Sequence, residues 1–416
     1  MKTVLVATAC CVVLSLVPAA GSADKPAPHL QDQTKILFDP VAQQKAILLL
    51  DRGGFTYDRD CQTPGAPIVI VRLGNQQAQE SLLTSLERLS CLRTLTVGDL
   101  DFKQVVPNQV KEISKLRQVE KMLLCRATVG PDEVKALAAM PNLCDLNFFL
   151  CEFASDDGLK AISTSRRLGT LSVYGCRGIS DESMKGLSSL RTLQILSLGC
   201  TGVTDKALAE LADCPVLREL GLGNTAITAA GLRELARSKS ISKLDLSLTK
   251  IGGKGGAVLA LFPNLRSVYL SKTTITDADL KELAWSKSIA ELHLGETKVG
   301  DDGVKELSRL KDLQMIDVAR TQVTDASLAE FASWPNLRSL DLIDTAITNA
   351  GLKNLACSKS LKSLNLYDTK VGDDGLKALY RLSTLRRLII VGCDELTADG
   401  VRQLKAALPD CEIVGP

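Results

Sequence analysis

Aromatic residues make up only 4% of this 416-residue chain, and histidine occurs twice, at His29 and His293. So few rings exclude a core assembled around large aromatic side chains. Leucine supplies most of the apolar content instead, as in a core of many similar layers. A basic excess is missing as well: 50 Lys and Arg stand against 48 Asp and Glu, a formal charge of +2. That balance speaks against a nucleic-acid partner, which needs cations to displace the counterions of a phosphate backbone, and it gives no support for electrostatic attachment to an anionic membrane. Past residue 23 no apolar run approaches the ~20 residues needed to span a bilayer. Phosphate-binding loops, paired-cysteine metal motifs and a nucleophile beside an enclosed base are absent too, so no cofactor is implied and catalysis is disfavoured.

What is present points to a folded, exported chain, with 45% apolar and 24% charged residues. Residues 1–23 read as a signal peptide: Lys2 gives the positive start, Val4 to Val17 the apolar run, and Gly21-Ser22-Ala23 the small residues before cleavage at Asp24. The expected location is therefore secreted or periplasmic. Residues 24–34 form a polar linker, 35–67 an N-terminal capping segment with a helix over Pro40 to Arg52, and 68–416 the main domain. Of thirteen cysteines, Cys10 and Cys11 leave with the signal; among the remaining eleven, Cys61 and Cys91 are the candidates for a bridge.

The main domain is repetitive. Thr201, Thr225, Thr249, Thr273, Thr297, Thr321, Thr345 and Thr369 follow one another at intervals of 24. Cys393 continues the series, Cys176, Cys151 and Ala127 precede it at intervals of 25, 25 and 24, and Leu100 and Gln76 are degenerate members, giving fourteen units. Relative to each such anchor, apolar residues fall eight, five and three positions before it, the alternation of a short strand, and two, seven and ten after it, a helical spacing. Thr204-Asp205, Thr276-Asp277 and Thr324-Asp325 open the helices with groups that can accept from the free N–H groups of a first turn. No unit buries its leucines alone. Stacking does so, at about 1.5–3 kcal/mol per buried aliphatic side chain before chain entropy is subtracted. Strands stack about 4.8 Å apart while helices are wider, so the stack must curve with its sheet on the inside.

The pattern L-x-x-L-x-L-x-x-[TC]-x-x-[TS]-D-x-x-L resembles the leucine-rich repeats, with Thr or Cys where many relatives carry Asn. The cysteine forms, Leu171 to Asp181 and Leu388 to Thr397, resemble the cysteine-containing subclass found in F-box adaptors. The threonine forms, such as Leu340 to Leu352, are similar to bacterial secreted leucine-rich-repeat proteins, whose N-terminal segment Ala42 to Leu73 also resembles. The resemblance implies an α/β solenoid, a horseshoe with a concave parallel sheet and convex short helices. An F-box adaptor would need its own helical module ahead of the repeats, and Asp24 to Gly65 offers a single helix.

Strand positions two, four and six before each anchor face solvent in the concavity. Their side chains are the expected binding residues: Tyr174, Asp245, Tyr269, His293, Asp317, Asp341, Ile343, Asn365, Tyr367 and Ile389, with Phe149 and Val391 in the same columns. His293 beside Asp317, with Asp341 one strand on, invites a metal-binding or general-base reading, but an open sheet lacks the enclosed pocket such chemistry needs, and a surface His–Asp pair is the simpler account. Ile343, Tyr367, Ile389 and Val391 suggest a protein-binding patch, unless the terminal segment Leu404 to Val414 folds over them. Cys151, Cys176 and Cys393 are expected to be buried structural thiols that reach the backbone of the turn, as the anchor threonines do.

The expected function is a non-catalytic binding scaffold for a protein partner, or an envelope polysaccharide, engaged through the concave face. The alternative is a self-associating structural component of the envelope; an F-box-like adaptor or a hydrolase using His293 and Asp317 fits less well.

Overall fold

A computed structural model of the chain describes residues 39–52, 54–63, 65–73, 80–98 and 107–415. The expected signal peptide, the linker with His29, and the anchors Gln76 and Leu100 lie outside the described residues.

Sixteen strands form one continuous sheet. The first, Thr56–Arg59, pairs antiparallel with Ile68–Leu73 and closes the N-terminal edge of the stack, with the helix Pro40–Arg52 packed beneath it through Ala46 and Leu50. From Ile68–Leu73 onward all pairings are parallel and in sequence order. The register repeats from unit to unit: Leu220 pairs with Leu244, and Leu340 with Leu364. Fourteen of these strands belong to the fourteen anchors, and a further parallel strand, Glu412–Val414, follows them.

The core is one cluster running the length of the solenoid. Leu364, Leu366, Val371, Leu376 and Leu379 of a single unit are all at 0% exposure, each packed against its counterparts in adjoining units. Helices such as Ala229–Leu235 and Asn349–Leu355 line the convex side, and in the Cys176 unit they shrink to 3₁₀ turns at Asp181–Met184 and Leu187–Ser189.

The turn from strand to helix requires a left-handed residue immediately before the anchor. Ten non-glycine residues, from Arg126 to Asp368, adopt φ between 49° and 61° there; glycine takes the position only at Gly175 and Gly392. A side chain in this region is strained. The conformation persists because it turns each of these N–H groups onto a carbonyl of the next unit, as Asn224 donates to Ser247 at 2.8 Å and Asp344 to Tyr367 at 2.9 Å.

Anchor threonines and cysteines do different work, which the sequence reading had merged. Each threonine hydroxyl donates to the carbonyl three residues earlier in its own unit, as Thr225 does to Leu222 at 2.5 Å and Thr321 to Val318 at 2.6 Å. The thiols of Cys151 and Cys393 instead reach the preceding unit, at Leu124 and Leu366, 3.2 and 3.1 Å away. A longer, softer S–H donor spans the gap between layers that a hydroxyl does not. All eleven described cysteines are free thiols, Cys61 and Cys91 among them.

The helix-opening aspartates also differ from expectation. Thr228, Thr324 and Thr348 do cap their own helices. The aspartate that follows such a threonine, however, reaches the next unit: Asp205 accepts from the Thr228 N–H at 2.7 Å and hydroxyl at 2.6 Å, and Asp325 likewise from Thr348 at 2.8 and 2.6 Å. Asp277 does so with the Gly300 N–H at 2.8 Å and Asn349 with that of Gly372 at 2.8 Å. These side chains staple layer to layer along the convex shoulder. The row breaks at Ala229, which has no oxygen to offer Gly252, and at Gly253 in the next unit; there the Gly252 N–H turns to the Thr274 hydroxyl at 3.0 Å. Gly256, in that same unit, packs so closely that an added Cβ would sit 1.9 Å from the Asp279 carbonyl oxygen.

Candidate binding face

Alternation along each strand puts residues three and five before the anchor into the core and those two, four and six before it on the concave face. Around Thr345, Leu342 and Leu340 are buried while Ile343, Asp341 and Ser339 are half-buried. The residues expected to bind therefore share one face, but they gather into two groups rather than one.

The C-terminal group is a ladder. Pairing places Tyr269 beside His293, His293 beside Asp317, Asp317 beside Asp341 and Asp341 beside Asn365. The Tyr269 and His293 rings stack with centroids 4.0 Å apart and an 8° interplanar angle, and Lys243 Nζ stands 5.4 Å from the Tyr269 centroid. His293 Nδ1 lies 3.7 Å from Asp317 Oδ2, outside hydrogen-bond reach. Asn365 Nδ2 donates to Asp341 Oδ2 at 3.1 Å.

Each acid in this column uses Oδ1 to accept from the backbone N–H two residues on: Asp245 from Ser247 at 2.9 Å, Asp317 from Ala319 at 2.9 Å, Asp341 from Ile343 at 3.1 Å. The bond ties down the end of the strand and fixes the carboxylate. Burial, with the neighbouring Asp317 charge adding to it, pushes the Asp341 carboxyl above its ordinary range. Among the described residues no cluster of three or more His, Cys, Asp and Glu side chains is placed to hold a metal ion.

Beyond Asn365 the ladder turns apolar. Tyr367 is 41% exposed, Val391 and Val414 37% each, and Ile389 is half-buried. The terminal segment does not fold over them: Glu412–Val414 extends the sheet in register, pairing Val414 with Ile389, so the patch stays open. A shallow recess of about 470 Å³ adjoins it between Val391, Asp394 and Gly415. Along the rim of the turns, Lys272, Glu296, Arg320 and Asp344 form a chain of ion pairs at 3.2 to 3.5 Å.

Tyr174 belongs to the other group, near the N-terminal end. Its ring runs parallel to that of buried Phe149, with centroids 6.0 Å apart, and lies across Gly199, where a Cβ would be 2.9 Å from it. A groove of about 410 Å³ opens beside Phe149, with Asn147, Phe148, Gly169, Ser172 and Ile195 also in its lining. The sequence reading missed this groove; one signal for it is an absence, since Gly169 stands where the neighbouring strands carry Cys144 and Gln194.

A family model for the leucine-rich repeat matches residues 237–260, 335–356 and 357–379. No curated protein sequence matches the chain. A leucine-rich-repeat protein of Leptospira interrogans is similar in structure over 87% of this chain and 93% of its own, with a TM-score of 0.55 at 18% identity. TLR13, from its complex with ssRNA13, aligns over 82% of this chain and 47% of its own, with a TM-score of 0.59 at 19% identity. An internalin of Listeria monocytogenes covers 92% of this chain and 98% of its own at 16% identity, with a TM-score of 0.48. The chain carries leucine-rich repeats and has the leucine-rich-repeat solenoid fold. Among its described residues, no helix is long and apolar enough to cross a membrane.

Proposed function

We propose that this protein is an exported, non-catalytic binding scaffold whose concave sheet engages a protein partner. The observation that carries the reading is the ladder from Tyr269 to Asn365 running without a break into the open Tyr367, Ile389 and Val391. Rigid strands thereby present an ordered row of carboxylates and an amide beside an apolar patch. Such a row supplies directional polar contacts, and the patch supplies the desolvated centre that interfaces depend on. Catalysis through His293 is poorly supported, because its ring is occupied by Tyr269 and its nearer nitrogen makes no hydrogen bond to Asp317. Export rests on the signal-like residues 1–23, and the bacterial character on the threonine form of the repeats. Single-stranded RNA, the partner of TLR13, fits this face badly, since the column carries Asp245, Asp317 and Asp341 where a phosphate backbone would need cations.

The test is affinity capture from secreted and envelope fractions with residues 24–416 as bait, beside the double variant Tyr367→Asp/Ile389→Asp checked by circular dichroism. A protein retained by the wild type and lost by the folded variant supports the reading. Equal recovery by both baits removes the C-terminal patch from it.

A further inference from the structure

One row of concave-face residues crosses the groove beside Phe149 on four neighbouring strands. Lys121 pairs with Asp145, Asp145 with Thr170 and Thr170 with Ile195, and all four belong to the lining. The row has a charged end, a small middle and an apolar end. Gly169, next to Thr170, deepens the middle, and Leu123 and Phe149 add apolar wall. Two strand intervals, ~10 Å, separate Asp145 from Ile195.

Among the described residues, Lys121 and Asp145 are the only charged side chains in this lining, and their signs are opposite. Lys121 acts on the Asp145 carboxyl through space and the Asn147 amide donates to it at 2.6 Å, yet burial outweighs both and pushes the carboxyl above its ordinary range. The hydroxyls of Thr170, Ser172 and Ser197 donate to none of the described residues, although Ser197 is only 6% exposed. A few convergent polar groups in a largely apolar recess are the make-up of a small-ligand site, and about 410 Å³ falls within the usual size of one.

A ligand matched to this lining has no net charge, carries one positive and one negative group close together, and has an apolar body. A simple organic cation would be repelled by Lys121, and a simple anion by Asp145. An α-amino acid holds its ammonium and carboxylate on one carbon, close enough to meet two side chains on adjacent strands. A peptide sets its end charges at least one further residue apart, about 3.5 Å. We propose that this groove binds a free α-amino acid with an apolar side chain. Its ammonium meets Asp145, its carboxylate meets Lys121 and the idle hydroxyls, and its side chain lies over Gly169 toward Ile195.

Titration of the purified protein with L-phenylalanine and L-leucine, followed by saturation-transfer NMR, tests the assignment. Both should bind. Glycine, which has the charges without the body, should bind at least tenfold more weakly. N-acetyl-L-phenylalanine lacks the cation and L-phenylalaninamide the anion, and each should also lose at least tenfold. Asp145→Asn should weaken L-phenylalanine by a similar factor and erase its preference over the N-acetyl form, while Lys121→Met should erase its preference over the amide. Gly169→Leu should abolish binding by filling the groove. An added Cβ there meets nothing closer than 3.7 Å, so the fold accommodates it, and an unchanged urea midpoint checks this. No binding of either amino acid at about 10 mM, tenfold beyond a Kd of ~1 mM, overturns the proposal. Glycine or the blocked forms binding as tightly as L-phenylalanine would reduce the groove to an unspecific slot and overturn it too. So would unchanged affinity in either charge variant, or binding that survives Gly169→Leu in a folded protein.

Discussion

Two columns of aspartates run along the C-terminal half of this solenoid, one on the concave sheet and one on the convex shoulder, and the same side chain does opposite work in them. On the shoulder, burial alone would raise the Asp301 carboxyl, but donors from Ser327 and Thr324 outweigh it and hold the group below its ordinary range. Asp373 is held down by the Thr397 hydroxyl and N–H. On the sheet, burial raises Asp341, with Asp317 adding to it, and burial likewise raises Asp145 near the other end. A carboxylate surrounded by donors is already satisfied and serves the stack. One that is half-buried and holds fewer donors is left with its burial uncompensated, as Asp341 is with the Ile343 N–H and the Asn365 amide alone. The contrast separates the two columns by what surrounds their carboxylates: hydroxyl and N–H donors of the next layer on the shoulder, burial on the sheet.

The largest expected effect comes from emptying a staple. Asp301→Ala leaves the Thr324 N–H and hydroxyl and the Ser327 hydroxyl without their shared acceptor, and should cost about 2 kcal/mol in urea-induced unfolding, as expected for losing hydrogen bonds to a charged group. Because layers unfold with their neighbours, loss of cooperativity at that joint should broaden the transition as well as shift it. A change below a few tenths of a kcal/mol, the ordinary range for surface sites, would mean that the shoulder aspartates are as dispensable as the concave ones, and the comparison would collapse.

Acid should separate the columns by sign. A carboxyl with a raised folded-state value binds its proton more tightly when folded, so stability should rise slightly as the pH falls through the values of Asp341 and Asp145. A carboxyl with a lowered value does the reverse: the stability from Asp301, Asp156 and Asp373 is complete above the ordinary carboxylate range and is lost as the pH falls through their lowered values. Urea midpoints from pH 7 to pH 3 should therefore pass through a shallow maximum before they fall. The double variant Asp145→Asn/Asp341→Asn should abolish the maximum and leave the fall. At neutral pH, Asp341→Asn alone should change stability by less than about 1 kcal/mol yet weaken capture of the concave-face partner, which measures function against stability at one residue.

The concave column was legible in the sequence because two periodicities, 24 along the chain and two along each strand, fix which side chains share a face; Tyr269, His293, Asp317, Asp341 and Asn365 align as that arithmetic requires. The shoulder column was not. Thr-Asp at a helix start has a sufficient local meaning, as a cap, and nothing local tells that Asp205 accepts from Thr228, in the following layer. The groove beside Phe149 was hidden for a different reason: Gly169 in its lining is a missing side chain, and hydrophobic patterning registers only those present.

The smallest expected effect is the most discriminating, because it adds a staple instead of removing one. Ala229 occupies the shoulder position where the adjoining units carry Asp205 and, two units on, Asp277, and the Gly252 N–H it would serve is bonded to Thr274 at 3.0 Å. Glycine is a competent recipient, as Gly300 shows in accepting this role from Asp277 with its N–H at 2.8 Å from the carboxylate. Ala229→Asp also places a carboxylate in the first turn of the helix Ala229–Leu235, where the unpaired N–H groups favour negative charge. Against these gains stands the bond to Thr274, which must yield, and the close packing of the Gly252–Gly256 segment, which limits how far it can move. The balance should be a gain of about 0.5 kcal/mol, read as a higher urea midpoint at pH 7 that vanishes when the new carboxylate is protonated. A gain that persists at pH 3 would come from helix propensity or the unfolded chain, and the staple would not be its cause. A loss would show that the break in the row at this unit is imposed by the glycine segment's packing and cannot be mended from the acceptor's side.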